Sequence, residues 1–300
     1  MIPEVYFVGL SACAALAVST AGLALATPGS ATRTHNHSAS VSRCEAWIRA
    51  RPIFPTAQPG KLLVVSPDST CFEGEIDEDS IVPLLAWLKD LPSGTRPLLV
   101  VRSRGGEATA GIDVMEALQK TDAEVRAVDL CGSSCADYFF TGARHRNVSD
   151  GTLILFHGGY SPPGRARMVA SLQDDRKPPK MSAAQWAQIR RDSLAQFDRD
   201  FARQSELYAK IGVSDAVTRN MDSVKMDELP DNECDTTRTV ERKAVFFSVA
   251  QLSAMGIVIE HGRPASTPAE ANAKLRQLGS PFEVCQAPES IFPEGASRPR

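Results

Sequence analysis

Three segments between residues 98 and 159 carry side chains whose types and spacing suit acyl-transfer chemistry. The first is an apolar run followed by Gly105 and Gly106, and glycines at such a turn let backbone N–H groups face a ligand. The second holds Ser134 among small residues, and the third ends in His157, which two further glycines follow. Together they offer donors for an oxyanion, a nucleophile and a general base.

The predicted nucleophile, Ser134, lies at a junction where small residues permit a sharp turn from a strand into a helix. At such a turn the hydroxyl and the next backbone N–H face one cleft. The N–H of Cys135, together with that of Gly105, would bind the developing negative charge on the substrate oxygen. The alternative is that Ser133 or Ser134 only caps the following helix, a common role for serine.

His157 is the histidine that the sequence places best for proton transfer. It ends a continuous apolar run, and the distance from Ser134 leaves room for one helix and one returning strand. Neighbouring parallel strands would bring both side chains to the same end of a sheet, where the clefts of α/β proteins form. A lone histidine at a strand end is more often structural, but the pairing with a serine and a glycine turn favours catalysis.

The alternation of strand-like and helix-like segments predicts parallel βαβ units, and hence an α/β fold with a twisted, largely parallel sheet wrapped by helices. The predicted strands are 61–66, 71–76, 97–101, 125–130 and 152–156. The predicted helices are one that Asp79 and Ser80 cap, one at 108–118, one through Phe139 and Phe140, and one at 181–211. The remaining predictions are a mobile loop at 158–179 and a closing helix and strand within 246–258.

Charge and hydropathy predict an exported protein. The formal charge of −3 argues against nucleic-acid binding. Residues 5–26 carry no charge and are numerous enough to cross a bilayer, but Ala24-Leu25-Ala26 is equally typical of a signal-peptide cleavage site. Both alternatives place the rest of the chain in the periplasm or on the outer face of a membrane. The predicted organisation is a signal or anchor segment at 1–31, a flexible linker at 32–43, one α/β domain at 44–263 and a tail at 264–300.

The cysteines agree with export. Six remain when Cys13 of the apolar segment is set aside, and they are Cys44, Cys71, Cys131, Cys135, Cys234 and Cys285. An even number in an exported chain predicts three disulfides, which six cysteines can form in 15 ways. The repeated C-x-x-C spacing of a zinc site is missing from the sequence, and the chemistry of a serine and a histidine requires neither a metal nor an organic cofactor.

The order of these motifs resembles the proteolytic subunit of the Clp protease and the membrane-associated signal peptide peptidases, over residues 62–258. The resemblance implies a Clp/crotonase-like fold, with Ser134 as nucleophile, His157 as base, and Gly105 and Cys135 as N–H donors. The acidic residue of that family follows the long helix in a short Asp-Ser/Thr stretch.

A stretch of this kind, Asn220-Met221-Asp222-Ser223, makes Asp222 the predicted third member of the triad. Asp215 and Asp227 are weaker candidates for that role.

The function that this resemblance implies is a serine hydrolase, a peptidase acting on short peptides or unfolded protein segments, with relatives that form oligomers. Some relatives pair the serine with a lysine, which makes Lys177 or Lys180 an alternative base; a charged, proline-containing loop is a poor place to bury a lysine and lower its pKa. Two other classes stay open. One is a scaffold protein of the cell envelope that kept the fold without turnover, and the other is an acyl-CoA enzyme of the crotonase kind.

Overall fold

A computed structural model describes residues 37–289, apart from 55, 57, 174–175, 220, 222–223, 225–227, 230–233 and 235–241. These residues belong to one compact unit, Asn36–Arg300. The apolar segment 5–26, Asp222 and Asp227 lie outside the described residues. Among the helices described, none is both long enough and apolar enough to cross a membrane.

The described strands form one mixed sheet of eight strands. They are β1 (Lys61–Ser66), β2 (Ser69–Glu73), β3 (Leu98–Ser103), β4 (Glu124–Gly132), β5 (His145–Val148), β6 (Leu153–Phe156), β7 (Arg242–Phe246) and β8 (Glu283–Gln286). The order is β1-β2-β3-β4-β6-β7-β8, and β5 pairs with β4 beside that path. Strands β2, β3, β4 and β6 run parallel, whereas β1 and β7 are antiparallel to their inner neighbours β2 and β6. The predicted α/β class with a largely parallel sheet is confirmed.

Helices cover both faces of this sheet. They are α1 (Ser38–Arg49), α2 (Glu78–Lys89), α3 (Ala108–Gln119), α4 (Pro162–Ser171), α5 (Ala183–Lys210), α6 (Ala216–Arg219), α7 (Val249–Ala254), α8 (Pro268–Gln277) and a π-helix, Cys135–Phe140. The N-cap of helix α2 is Asp77, two residues before Asp79, the first of the two predicted capping residues. The side chain of Asp77 accepts from the N–H of Ser80, and the Ser80 hydroxyl accepts from the N–H of Asp77.

The apolar runs in the sequence follow from this two-sided covering. In β3, Leu99 and Val101 belong to the large cluster that α2, α3 and the π-helix cover, whereas Leu98 and Val100 belong to the cluster beneath α1. Successive side chains of a strand point to opposite faces, so a strand buried on both faces has no polar position to alternate with.

Both ends of the folded domain extend further than the sequence predicts. Residues 38–43, expected in the linker, form the first half of α1, which the Cys44–Cys71 disulfide ties to β2. Residues 268–286, expected in the tail, contribute α8 and β8, and β8 pairs with β7. The composition of both segments is polar because only one narrow face of each helix is buried.

Two local predictions need correction. The expected loop at 158–179 contains α4, which begins at Pro162 after Ser161 accepts the N–H of Gly164 at 3.0 Å. Proline suits the first helical position because it has no N–H to satisfy there. The expected closing strand after Gly256 is absent from the described 257–260, and the strand that pairs with β6 is β7, which precedes α7.

Candidate functional site

A cleft of about 270 Å³ lies at the carboxyl ends of β2, β3, β4 and β6. Ligands of open α/β sheets bind at this edge of the strands. The glycine pair predicted from sequence and His157 both line it, together with a serine. The full lining is Pro52, Ile53, Gln58, Glu73, Gly74, Glu75, Arg104, Gly105, Gly106, Ser133 and His157.

Two adjacent serines face different sides of the turn between β4 and the π-helix. Ser133 lines the cleft, whereas Ser134 is 3% exposed and donates its hydroxyl to the carbonyl oxygen of Gly106 at 2.8 Å. Ser133 has φ +53°, in the left-handed region that few non-glycine residues adopt. The structure therefore presents Ser133 to the cleft, where the sequence had favoured Ser134.

Gly105 makes room for this serine. A Cβ at Gly105, where φ is +102°, would lie 2.5 Å from the Cβ of Ser133 and 2.7 Å from the carbonyl oxygen of Gly132. Gly106 is equally constrained, since a Cβ there would lie 2.0 Å from the carbonyl oxygen of Ile76. The two glycines are required by close packing of backbone, which is a stronger demand than that of an ordinary turn.

The backbone donors at the cleft also differ from those predicted. The N–H of Gly105 donates to the Ser103 hydroxyl at 3.0 Å, so it is already engaged. Gly106 and Ile76 form an isolated parallel β-bridge. In this bridge the Ile76 N–H donates to the Gly105 oxygen, and the Glu107 N–H donates to the Ile76 oxygen. The N–H and carbonyl of Gly106 itself therefore face away from Ile76, and that carbonyl meets Ser134.

The backbone N–H that follows Ser133 in the chain belongs to Ser134. It stands at the start of the π-helix, where N–H groups lack an intrahelical partner. Gly106 and Ser134 are therefore the candidates for the roles that the sequence analysis gave to Gly105 and Cys135.

His157 is exposed on the cleft and makes no side-chain hydrogen bond with any residue that the structure describes. In the antiparallel register of β6 and β7, Phe156 faces Val245, and continuing it sets His157 against Ala244. At that position the neighbouring strand carries an alanine, whose methyl side chain cannot form a hydrogen bond with the imidazole.

The other predicted site residues lie away from the cleft or outside the described ranges. Asp215, the residue before α6, forms an ion pair with Arg219 at the end of that helix. The ammonium of Lys177 donates to the carbonyl oxygen of Met181 at 2.7 Å, and Lys180 is exposed; neither lysine lines the cleft. Asp222 and Asp227 are not described.

A buried polar cluster holds the chain just after His157. Asp200 of α5 is fully buried and its Oδ2 accepts from the hydroxyls of Thr109 at 2.8 Å and Tyr160 at 3.0 Å. Gln204 donates to the carbonyl oxygen of Tyr160 at 2.9 Å. Burial raises the pKa of Tyr160 to about 12.

The sequence analysis missed this cluster because single polar residues on a long helix look solvated. The available signal was that Asp200 and Gln204 share a helical face with apolar Phe197 and Leu207.

One wall of the cleft comes from the chain before β1. The buried guanidinium of Arg102 donates to the Glu73 carboxylate at 3.0 Å and to the carbonyl oxygen of Arg51 at 2.7 Å. The guanidinium of Arg104 lies 4.9 Å from the centre of the Phe54 ring. These contacts hold the segment before β1 against β2, β3 and the glycine pair.

The six cysteines of the described chain form three disulfides, Cys44–Cys71, Cys131–Cys135 and Cys234–Cys285. The predicted disulfide bonding is confirmed, and it fits an oxidising environment outside the cytoplasm. Within the described ranges, no three His, Cys, Asp or Glu side chains lie together in a way that could hold a metal ion.

Comparison of the chain with models of known protein families finds no match, and comparison with curated proteins finds none either. The functional interpretation therefore rests on the geometry of the cleft and on the chemistry of the groups that line it.

Proposed function

We propose that this protein is a serine hydrolase in which Ser133 is the nucleophile and His157 the general base. One observation carries the proposal: Ser133, His157 and the glycine pair line a single cleft at the carboxyl ends of parallel strands. The N–H groups of Gly106 and Ser134 are the proposed oxyanion donors. Each donor of this kind is worth about 2.7–4 kcal/mol of transition-state stabilisation.

The proposed reaction follows from these positions. The Ser133 oxygen attacks a carbonyl carbon while its proton passes to the imidazole of His157. Charge on the former carbonyl oxygen is held by the two backbone donors. The imidazolium then gives the proton to the leaving group as the scissile bond breaks, and water hydrolyses the acyl-enzyme by the same route in reverse.

A peptidase of the Clp/crotonase-like fold, acting outside the cytoplasm, is the specific form of this proposal. Its support is the succession on adjacent parallel strands: β3 leads to the glycine pair, β4 to the serine turn and the π-helix, and β6 to the histidine. The wall formed by the chain before β1 narrows the cleft, which favours short peptides or unfolded segments as substrates. The three disulfides support a place in the periplasm or on the outer face of a membrane.

Fluorophosphonate labelling of the full chain tests the proposal, since the reagent phosphonylates activated serines. We expect an adduct at Ser133 by peptide mass spectrometry, no labelling of Ser133→Ala or His157→Ala, and retained labelling of Ser134→Ala. Ser134→Ala is the matched control because it removes the neighbouring hydroxyl from the same turn. An adduct at Ser134, or a Ser133→Ala variant labelled like the wild type, would overturn the assignment.

A second candidate is a binding protein that holds an extended peptide in the same cleft without cleaving it. The observation that favours it is that His157 makes no hydrogen bond to a carboxylate of any residue that the structure describes. A wild-type protein that resists labelling at neutral pH with its disulfides intact would move this candidate ahead.

A further inference from the structure

We infer that the Cys131–Cys135 disulfide is a positioning element that holds the proposed nucleophile and one oxyanion donor in place. This inference rests on the proposed function. The disulfide closes a small covalent ring around Gly132, Ser133 and Ser134, with its Cα atoms 5.2 Å apart. We call residues 131–135 the serine turn.

The ring joins a strand to a helix across the turn between them. Cys131 lies in β4, paired with Ser103 of β3, and Cys135 is the first residue of the π-helix. Between them Ser133 has φ +53° and Ser134 has φ −53° with helical ψ. A non-glycine residue in the left-handed region persists only where its surroundings impose it, and such residues cluster at functional sites.

Hydrogen bonds also hold this turn, including the one from the Ser134 hydroxyl to the carbonyl oxygen of Gly106. The N–H of Ser133 donates to the carbonyl oxygen of Leu155 at 2.9 Å, and the N–H of Asp137 donates to the carbonyl oxygen of Ser133 at 2.8 Å. The bond from Asp137 orients the peptide between Ser133 and Ser134, whose N–H is the proposed donor. The covalent ring adds to this restraint, because it limits rotation about both residues at once.

The disulfide is better suited to local positioning than to holding the fold together. Stabilisation through the unfolded chain grows with the length of the loop that a disulfide closes. Cys131 and Cys135 are 4 positions apart, against 27 for Cys44–Cys71 and 51 for Cys234–Cys285. Both cysteine side chains are fully buried, which shields the bond from attack by other thiols.

The test compares two double variants of the full chain, Cys131→Ala/Cys135→Ala and Cys44→Ala/Cys71→Ala. Alanine is used in place of serine because a serine hydroxyl would be buried without a designed hydrogen-bond partner. The control removes a longer-range disulfide that does not line the cleft. For each protein the melting temperature is measured, and fluorophosphonate inactivation is followed over a range of reagent concentrations to separate kinact from KI.

We expect kinact to fall at least tenfold in Cys131→Ala/Cys135→Ala with KI unchanged, and a smaller loss of melting temperature than in the control. The control should keep the wild-type kinact despite its larger thermal loss. A wild-type kinact in the serine-turn variant overturns the inference, and so does a fall that merely tracks melting temperature in both variants.

Hydrogen–deuterium exchange separates this inference from the proposed function. If the wild type fails to react with the fluorophosphonate, the hydrolase proposal fails while the positioning role is still decided. Faster exchange confined to peptides covering 131–137 in the serine-turn variant supports the positioning role. Exchange equal to that of the wild type over those residues refutes it.

Discussion

The two sides of the cleft are built in different ways. On one side, the glycine pair and the serine turn are fixed by backbone contacts, a covalent ring and two buried strands. On the other side, His157 projects from the end of β6 with an exposed ring that no described residue binds. The proposed nucleophile and oxyanion donors are therefore preorganised, whereas the proposed base is held only through the chain that carries it.

This difference predicts which substitutions the fold should tolerate. Preorganised donors do their work without rearrangement, so any distortion there costs both stability and transition-state binding. An exposed imidazole contributes little to the fold and can be replaced without structural damage. Three substitutions test the contrast, from the most to the least damaging to stability.

Gly105→Ala should be the most destructive. The new Cβ would meet Ser133 and Gly132 at 2.5 and 2.7 Å, at a residue with φ +102°. Overpacking and the positive φ together should lower the free energy of unfolding by about 3 kcal/mol and abolish labelling of Ser133. Urea unfolding measures the first effect. Gly94→Ala is the control, because its φ is +78° but no atom lies within 4 Å of the new Cβ; it should cost about 1 kcal/mol and leave labelling intact.

Tyr160→Phe should have an intermediate effect, since it removes one donor from Asp200 just beyond His157. We expect a loss of about 1 kcal/mol in the free energy of unfolding at neutral pH. Burial raises the pKa of Tyr160 from 10.0 to about 12, so the folded protein keeps this proton where the unfolded chain has lost it. That contribution is complete below pH 10 and disappears as the pH rises toward 12.

Urea unfolding across this alkaline range provides the measurement for Tyr160→Phe. The variant should lose stability less steeply with pH than the wild type. Burial also raises the pKa values of Tyr138 and Tyr208, so a smaller alkaline fall remains in the variant. If the stability of the two proteins falls equally steeply with pH, the Tyr160 hydroxyl does not contribute to the pH dependence of folding.

His157→Ala should be the mildest change to the fold and among the most severe for reaction. An exposed side chain without a hydrogen bond to the described chain should contribute within about 0.5 kcal/mol to stability. Thermal unfolding and labelling on the same samples make the comparison. A large drop in melting temperature would mean that the histidine side is as tightly built as the serine side.

The sequence predicted the parallel core well, because continuous apolar runs such as 97–101 and 153–156 are typical of strands that are covered on both faces. It failed at the edges. The helix around Cys44 is polar over most of its surface, and the strand Glu283–Gln286 is short and begins and ends with a polar residue. The burial of both depends on long-range contacts that local composition does not reveal.

At the site, the sequence predicted the segments that line the cleft, but the structure brings the neighbouring serine, Ser133, to the cleft lining. Ser133 and Ser134 have similar small neighbours, and only the φ of +53° at Ser133 decides which hydroxyl faces the cleft. Likewise, nothing in the letters Gly105-Gly106 shows that the first N–H is taken by Ser103. Backbone direction within a tight turn is a tertiary property, set by what packs against it.

The pairing of the cysteines bears on how the chain is made. Within the described part of the sequence, each cysteine is bonded to the next one along: the first to the second, the third to the fourth and the fifth to the sixth. A chain that crosses a membrane with its N-terminus leading exposes these thiols in that order. Each native bond can close before the following cysteine emerges, so oxidation during translocation reaches this arrangement, one of 15, without any reshuffling by an isomerase.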